Sequence, residues 1–186
     1  MNETNTLYVA NREEWRQWLQ ENYTTAHEIW LVYYRKHTGT PRIPYNDAVE
    51  EALCFGWIDS NTKTVGQERY AQRFTPRNPR SRYSQTNKER LRRLTEQGKV
   101  MPEVQSKVRD VVAEEFIFPP DVMAALQANE RAWENFQSYS GAYQRIRVAY
   151  VDLARKRPEE FEKRLKHLIR MTEQDKQFGF GIEAYY

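Results

Sequence analysis

The stretch EIWLVYYRK at residues 28–36 constrains the possible folds of this chain more than any other segment. Aromatic and β-branched residues dominate it, and such residues favour a β-strand. Alternate side chains of a strand point to opposite faces, and both faces are largely apolar here, one with Trp30 and Val32, the other with Leu31 and Tyr33. A strand that is apolar on both faces needs cover on both, so we expect it to lie at the centre of a sheet.

Two further strands follow as a hairpin. The segments WIDSNTKTV (57–65) and RYAQRFT (69–75) flank a short turn that contains glycine. In the second strand, Tyr70 and Phe74 share a face and suit the core, whereas Arg73 points to the other face. Arg73 is therefore expected to border a groove or solvent.

Three helices are predicted around these strands, each from a cap signal and an apolar stripe. The first is capped by Asn11, and the second begins near Asn46 or Asp47 and ends at Gly56. The third begins at Thr86, which has a glutamate three residues later in a capping-box spacing. These elements predict an α+β fold in which a small, mostly antiparallel sheet of three or more strands carries packed helices.

We predict that the chain after the third helix is helical throughout, because its apolar residues recur at helical spacing. Pro119 and Pro120 mark the boundary of this half. We therefore divide the chain into a mixed α+β region at residues 1–118, with the hairpin and an arginine-rich segment, and a helical C-terminal module at residues 119–186 that packs on it. The aromatic tail FGFGIEAYY of this module either packs over the body or mediates self-association.

Composition excludes several classes of protein. No segment reaches the roughly 20 apolar residues that a membrane helix needs, and the first residues lack the features of a secretory signal. Cys54 is the only cysteine, which excludes an internal disulfide and a cysteine-based zinc site. His27, His37 and His167 lack metal-ligand spacing. We expect a cytoplasmic protein that inserts into no membrane and needs no metal or cofactor.

Basic residues are concentrated in one segment. The formal net charge is only +3, but the segment from Arg69 to Arg93 contains nine basic residues and one acidic residue, Glu89. It carries +8, which leaves −5 for the rest of the chain. Eight of the nine are arginines, which bind carboxylates and phosphates through paired hydrogen bonds. We interpret the segment as an anion-binding surface, with a solvated basic face as the alternative.

The sequence RFTPRNPRSRYSQTN is the densest candidate site. It combines arginines with hydroxyl and amide groups and runs into a helix N-terminus, where free N–H groups favour an anion. Arg73, Arg77 and Arg82 would hold the anionic group, and Trp57 and Tyr83 would form apolar walls. The predicted ligand-binding residues are Trp57, Asp59, Arg73, Thr75, Arg77, Ser81, Arg82, Tyr83, Ser84 and Asn87.

Asp59 is expected to have a partner, because carboxylates are uncommon in strands. The register favours Arg73 of the neighbouring strand. Such a pair would fix the register of the hairpin or orient the arginine toward a ligand, and a role for Asp59 as a lone acid or base is a third possibility. Ser84 and Asn87 are equally explained as helix caps.

A protein that binds a small phosphate- or carboxylate-bearing molecule is the main functional hypothesis, and it assigns no reaction. One alternative is an enzyme that acts on a small anionic substrate, with Asp59 as acid or base and the arginines as electrostatic clamps. Another is single-stranded nucleic-acid binding, because aromatic residues alternate with the basic ones. Cys54 lies on the apolar side of a helix end and is expected to be a packed thiol.

The motifs AVEEALCFGWIDS and RFTPRNPRSRYSQTN, followed by a helix that ends at Gly98, resemble the YdeI/OmpD-associated family, also called bacteriocin-protection proteins. The resemblance runs from about Trp15 to about Arg170, and the segment AYVDLARKRPEEFEKRL is similar to the helical module that closes these proteins. The family has no established catalytic activity, and its name refers to tolerance of antimicrobial peptides or envelope stress. The motif residues that the resemblance carries over are Cys54, Gly56, Trp57, Asp59, Arg73, Thr75, Pro76, Arg77, Ser81, Ser84 and Asn87.

Overall fold

The computed structural model describes residues 5–186 and confirms an α+β fold. The strands lie in the N-terminal half, and helices make up most of the remainder. The strands are β1 (Thr6–Tyr8), β2 (Ile29–Tyr34), β3 (Trp57–Val65) and β4 (Arg69–Pro76). The α-helices are α1 (Arg12–Asn22), α2 (Tyr45–Cys54), α3 (Gln85–Glu96), α4 (Pro102–Ala113), α5 (Pro120–Gln127), α6 (Glu130–Ser138), α7 (Gly141–Asp152) and α8 (Pro158–Glu173).

The strands form one mixed sheet in the order β1-β2-β4-β3. β2 is an interior strand, as its two apolar faces predict. β4 pairs antiparallel with both β2 and β3, whereas β1 runs parallel to β2. β1 has only three residues, which is too short to give a periodic signal in the sequence. The register of β3 shifts between Asp59 and Thr62, where the strand bulges.

One face of the sheet packs on α1 and α2. Trp15 and Leu19 of α1 are fully buried, and Nε1 of Trp15 donates a hydrogen bond to the carbonyl of Ala48 in α2 at 3.0 Å. The two central strands present matched side chains to this face, because directly opposed residues lie on the same side of a sheet. The opposed pairs are Ile29 with Phe74, Leu31 with Gln72, and Tyr33 with Tyr70.

The ends of the first two helices follow their local signals. The side chain of Asn11 accepts a hydrogen bond from the amide of Glu14 at 2.9 Å and caps α1, as predicted. α2 begins at Tyr45, slightly before the predicted start. Gly56 follows α2 with a φ of +73°, and a Cβ atom there would lie 3.3 Å from Cγ2 of Val104. A left-handed residue in close contact with a neighbouring helix has to be glycine.

α2 buries two carboxylates in addition to its apolar stripe. Glu51 is almost fully buried and accepts hydrogen bonds from Nε of Arg12 at 2.5 Å and from Nη1 of Arg16 at 2.6 Å. Glu50 accepts from Nη2 of Arg12 at 2.7 Å and also pairs with Arg93. Charged groups this deeply buried are tolerated only when they are paired and hydrogen-bonded, which three arginines achieve here.

The chain forms two compact units. The first comprises the described residues up to Tyr83 together with Arg90–Val112, and the second comprises Ser84–Glu89 together with Ala113–Tyr186. The core of the first unit contains the inner face of the sheet, α1, α2 and the apolar sides of α3 and α4.

In the second unit, α5 to α8 surround a core that includes Phe136, Tyr143 and Leu168. Ile182 and Tyr185 of the aromatic tail are buried in this same core. The tail therefore packs on the helical unit, which is one of the two possibilities that the sequence left open. Across residues 5–186, we find no helix with the length and apolar character required to cross a bilayer.

Candidate functional site

Asp59 and Arg73 lie on opposite faces of the sheet, so the predicted ion pair between them is wrong. Asp59 is opposite Phe74 in the β3–β4 ladder and shares its face. Arg73 precedes Phe74 and points to the other face, because consecutive strand residues alternate. There its Nη2 and Nε atoms bond to Oε2 of Glu28 at 2.6 and 2.7 Å. The hydrogen bond from Arg73 lowers the pKa of the Glu28 carboxyl.

Asp59 instead belongs to a group of hydroxyl and amide side chains. Tyr45, the first residue of α2, donates its hydroxyl to Oδ2 of Asp59 at 2.8 Å. The buried amide of Gln72 donates to the same oxygen at 3.3 Å and to the carbonyl of Ser60 at 2.8 Å. Burial raises the pKa of the Tyr45 phenol, and the Asp59 carboxylate raises it further, so Tyr45 remains a proton donor.

Tyr33 adds a buried hydroxyl that has no hydrogen-bond partner among the described residues. Its ring stacks on Tyr70 with 5.0 Å between centroids, and the hydroxyl of Tyr70 accepts from Nη1 of Arg42 at 3.2 Å. Burial raises the pKa of Tyr33, and Tyr70 and Tyr45 contribute to this rise. We call this group the Asp59 cluster: Tyr33, Arg42, Tyr45, Asp59, Tyr70 and Gln72.

Part of the Asp59 cluster could have been predicted from the sequence. Strand alternation places Tyr70 and Gln72 on one face, and pairing with β2 would have added Tyr33. Arg42 and Tyr45 come from the loop before α2 and from the helix start. No local pattern links those two residues to the sheet.

Trp57 packs inside the core and does not form a wall of an open site, in contrast to its predicted role. Only 1% of the residue is exposed. Its Nε1 donates to the carbonyl of Tyr23 at 3.1 Å, and its ring meets Trp18 edge-on with 5.9 Å between centroids. A buried indole with a satisfied N–H group is typical of a structural residue.

Arg77 packs over the ring of Tyr83. Its Cζ atom lies 3.6 Å from the centroid of the Tyr83 ring, and its Nη2 donates to the carbonyl of Ser81 at 2.6 Å. The backbone amide of Arg77 donates to the carbonyl of Gly56 at 2.9 Å, which anchors this position to the end of α2. These contacts fix one edge of the guanidinium, and no carboxylate among the described residues pairs with it.

We call residues 77–83 the arginine loop. Asn78 folds the middle of it, because its side chain accepts from the amide of Arg80 at 2.9 Å and its carbonyl accepts from the amide of Ser81 at 3.0 Å. Arg80 and Arg82 are exposed, and their guanidinium groups make no hydrogen bond or ion pair within the described chain. The loop therefore presents cationic groups without internal partners.

The remaining predicted site residues occupy structural positions. Thr75 is half-buried and lies opposite Ile58 in the β3–β4 ladder. The hydroxyl of Ser84 accepts from the amide of Asn87 at 3.3 Å, and α3 starts at the next residue. Ser84 thus caps α3, as one interpretation of the sequence proposed, and the cap predicted at Thr86 is wrong by two residues.

Most other cations of the basic segment are engaged by the protein itself. Hydrogen bonds or ion pairs inside the units fix their side chains, so they add little to an anion-binding surface. These contacts join Arg90 with Asn46, Arg92 with the carbonyl of Val112, Arg93 with Glu50, and Lys88 with Glu114.

We find neither a metal-binding group nor a reactive thiol among residues 5–186. No three His, Cys, Asp or Glu side chains in this range are grouped so that they could hold a metal ion. Cys54 is fully buried, and burial raises the pKa of its thiol to about 12. A thiol with this pKa is protonated and unreactive near neutral pH, which confirms the prediction of a packed thiol.

Alkylation provides a direct check on Cys54. We expect iodoacetamide at mildly alkaline pH to leave the folded protein unmodified and to react fully in concentrated urea, because burial withholds the thiolate that attacks the reagent. Intact-mass spectrometry after quenching would count the added groups. Stoichiometric modification without denaturant would contradict the buried position.

Two family models match the chain. Residues 7–107 match the family described as "Domain of unknown function (DUF8412)", and this match covers more than half of the chain. Residues 115–175 match the family described as "Bacteriocin-protection, YdeI or OmpD-Associated". No curated protein and no solved structure matches the sequence.

The two family matches cover different parts of the chain and therefore different structural features. The Asp59 cluster and the arginine loop lie within residues 7–107, together with both motifs that suggested the YdeI/OmpD-associated family. The match to that family begins only at residue 115 and spans α5 to α8. The chain therefore belongs to the DUF8412 family, and residues 115–175 of its helical half are similar to the YdeI/OmpD-associated bacteriocin-protection family.

Proposed function

We propose that this protein binds a small phosphate- or carboxylate-bearing molecule at the arginine loop. The observation that carries the proposal is the guanidinium of Arg77, which the Tyr83 ring and the Ser81 carbonyl hold in place although no carboxylate neutralises it. A side chain that is ordered before the ligand arrives loses little conformational entropy on binding.

The neighbouring arginines support the same proposal. The carbonyl that accepts from Arg77 belongs to the peptide group between Ser81 and Arg82, so the guanidinium of Arg77 lies beside the backbone of Arg82. Each hydrogen bond from a charged donor contributes about 1.5–3 kcal/mol. Two or three such bonds contribute about 3–9 kcal/mol together, which corresponds to affinities from about millimolar to micromolar. Asp59 and Arg73 are not part of this proposed site.

A matched set of variants tests the arginine loop. Titration calorimetry with nucleotides, sugar phosphates and small carboxylates would identify a ligand for the wild type and separate phosphate from carboxylate. We expect Arg77→Ala/Arg82→Ala to weaken its affinity at least about tenfold, because two charge-assisted donors are lost. Arg73→Ala should stay within about twofold of wild type, since Arg73 is bound to Glu28 on the sheet.

Two outcomes would count against this proposal. Equal affinity of the double variant and the wild type would exclude the arginine loop as the binding site. Tight binding of a single-stranded oligonucleotide, with a salt slope near −0.7 per phosphate contact, would identify the loop as a nucleic-acid surface instead.

We extend the proposal to bacteriocin protection, the role in the name of the family that residues 115–175 match. In this setting the bound anion would be the molecule through which the protein exerts protection. Bacteriocin sensitivity of cells that express the wild type or Arg77→Ala/Arg82→Ala would connect the two parts of the proposal.

A further inference from the structure

Arg147 of α7 is a buried cation without an anion. Only 6% of the residue is exposed, and its Nε is buried with no hydrogen-bond partner. Within residues 5–186, no carboxylate, carbonyl or hydroxyl accepts a hydrogen bond from its guanidinium. Arginine remains charged at neutral pH, so the second unit encloses a positive charge that no described residue neutralises.

Aromatic rings and the tail surround this guanidinium. Its Cζ atom lies 3.8 Å from the centroid of the Phe178 ring and 4.7 Å from that of Tyr150. A Cβ atom on Gly179 would lie 3.1 Å from Nη1 of Arg147, so the tail backbone passes directly beside the guanidinium. The hydroxyl of Tyr186 donates to the carbonyl of Gly179 at 3.0 Å and helps to hold the tail there. We call this the Arg147 niche: Arg147, Tyr150, Phe178, Gly179 and Tyr186.

Ring contacts alone do not compensate this charge. A cation over an aromatic face gains less free energy than a buried ion loses through desolvation. Burial lowers the pKa of Arg147, the hydroxyls of Tyr143, Tyr150 and Tyr186 act in the opposite direction, and Arg164 adds a smaller repulsion. Arg164 itself is already engaged by Glu160 and by the carbonyl of Tyr150. The site therefore favours a single negative charge supplied from outside the chain.

We infer that the Arg147 niche binds the carboxylate of a small organic acid. The rings of Phe178 and Tyr150 contact the guanidinium, and a flat carboxylate would pair with its nitrogen edge through hydrogen bonds in the guanidinium plane. One unpaired cation matches a monoanion better than a phosphate dianion. The rings also provide apolar contact for the body of the acid.

An open groove runs along α8 and is lined by Glu159, Glu162, Lys163, Lys166, His167 and Arg170. One of these residues connects the groove to the niche: the ring of His167 meets that of Phe178 edge-on, with 4.7 Å between centroids, and Phe178 lies over Arg147. This site lies within the second unit and is independent of the arginine loop.

Thermal unfolding tests the inference with benzoate and acetate as probes and inorganic phosphate as the comparison, at constant ionic strength. We expect benzoate to raise the unfolding midpoint of the wild type in a saturable manner. Arg147→Met should weaken the apparent affinity for benzoate at least tenfold. It should also keep or raise the midpoint without benzoate, because it removes an unneutralised buried charge and retains the apolar stem.

Arg155→Met is the matched control. Arg155 also lies over an aromatic ring of the second unit, at 4.9 Å from Phe161, but Asp121 and Asp152 neutralise it. This variant should respond to benzoate like the wild type. In Arg77→Ala/Arg82→Ala, the Nε–Hε NMR signal of Arg147 should still shift with benzoate as it does in the wild type, which separates the Arg147 niche from the arginine loop.

The Nε–Hε signal of Arg147 in an arginine-edited NMR spectrum gives a readout that does not depend on folding of the variants. It should shift saturably as benzoate is added to the wild type. The inference is overturned if benzoate moves neither this signal nor the midpoint, or if Arg147→Met retains the benzoate response. A larger response to phosphate than to both carboxylates would overturn the assigned ligand class.

Discussion

Arg12→Met is expected to lower the free energy of unfolding by about 3 kcal/mol, because removing one partner from a buried charge network leaves carboxylates incompletely neutralised. Arg12 bridges three carboxylates of α2: Glu51 through Nε, Glu50 through Nη2, and Asp47 through Nη1 at 3.3 Å. The side chains of Glu50 and Glu51 are 9% and 2% exposed, so water cannot replace the lost donor. Urea denaturation would measure the change.

The control for this prediction is Arg109→Met, at an exposed arginine of α4. It should change the stability by no more than about 0.5 kcal/mol. A double-mutant cycle with Glu51→Leu adds a sharper criterion. The double variant should lose less stability than the two single variants lose in sum, because each single substitution leaves the other charge buried without its partner. Strict additivity would mean that Arg12 and Glu51 do not stabilise each other.

Trp57→Ala is expected to lower the free energy of unfolding by about 3–5 kcal/mol, the usual result of emptying a fully buried aromatic site. Trp57→Phe should lose about 1–2 kcal/mol, since it keeps a ring but leaves the carbonyl of Tyr23 without its donor. Chemical denaturation of the three proteins under the same conditions would provide these values.

Trp30→Ala is a useful comparison, because Trp30 is half-buried on the opposite face of the sheet. It should cost clearly less stability than Trp57→Ala. A loss below about 1 kcal/mol for Trp57→Ala, by contrast, would indicate that the indole is solvent-accessible and available to a ligand.

Local periodicity was enough to predict the faces of the central strands. Alternation placed Tyr70 and Phe74 toward the core and Arg73 away from it, and the structure confirms both. The same rule contradicts an Asp59–Arg73 pair once the register is known, because Asp59 is opposite Phe74. Register depends on pairing over the whole hairpin, including the bulge after Asp59, and single residues do not encode it.

Long-range charge pairing could not be predicted. Two adjacent glutamates in a helix usually indicate a solvent-exposed face. Glu50 and Glu51 are instead paired with three arginines of α1 and α3, which lie about 35–43 residues away in the chain. No local signal predicts such contacts.

The start of α3 was ambiguous for another reason. Ser84 and Thr86 are both good capping residues, and the sequence alone does not show which of them precedes the first helical turn; in the structure it is Ser84.

The two outer strands of the sheet have a consequence for colloidal behaviour. β1 has only three residues with which another strand could pair, and the regular pairing of β3 is interrupted by a bulge between Asp59 and Thr62. Beyond the bulge, β3 carries exposed polar residues and Lys63. Short, kinked or lysine-bearing margins are poor templates for strand addition by another copy. The molecule can therefore keep an apolar central strand while its outer strands oppose fibril-like stacking at high concentration.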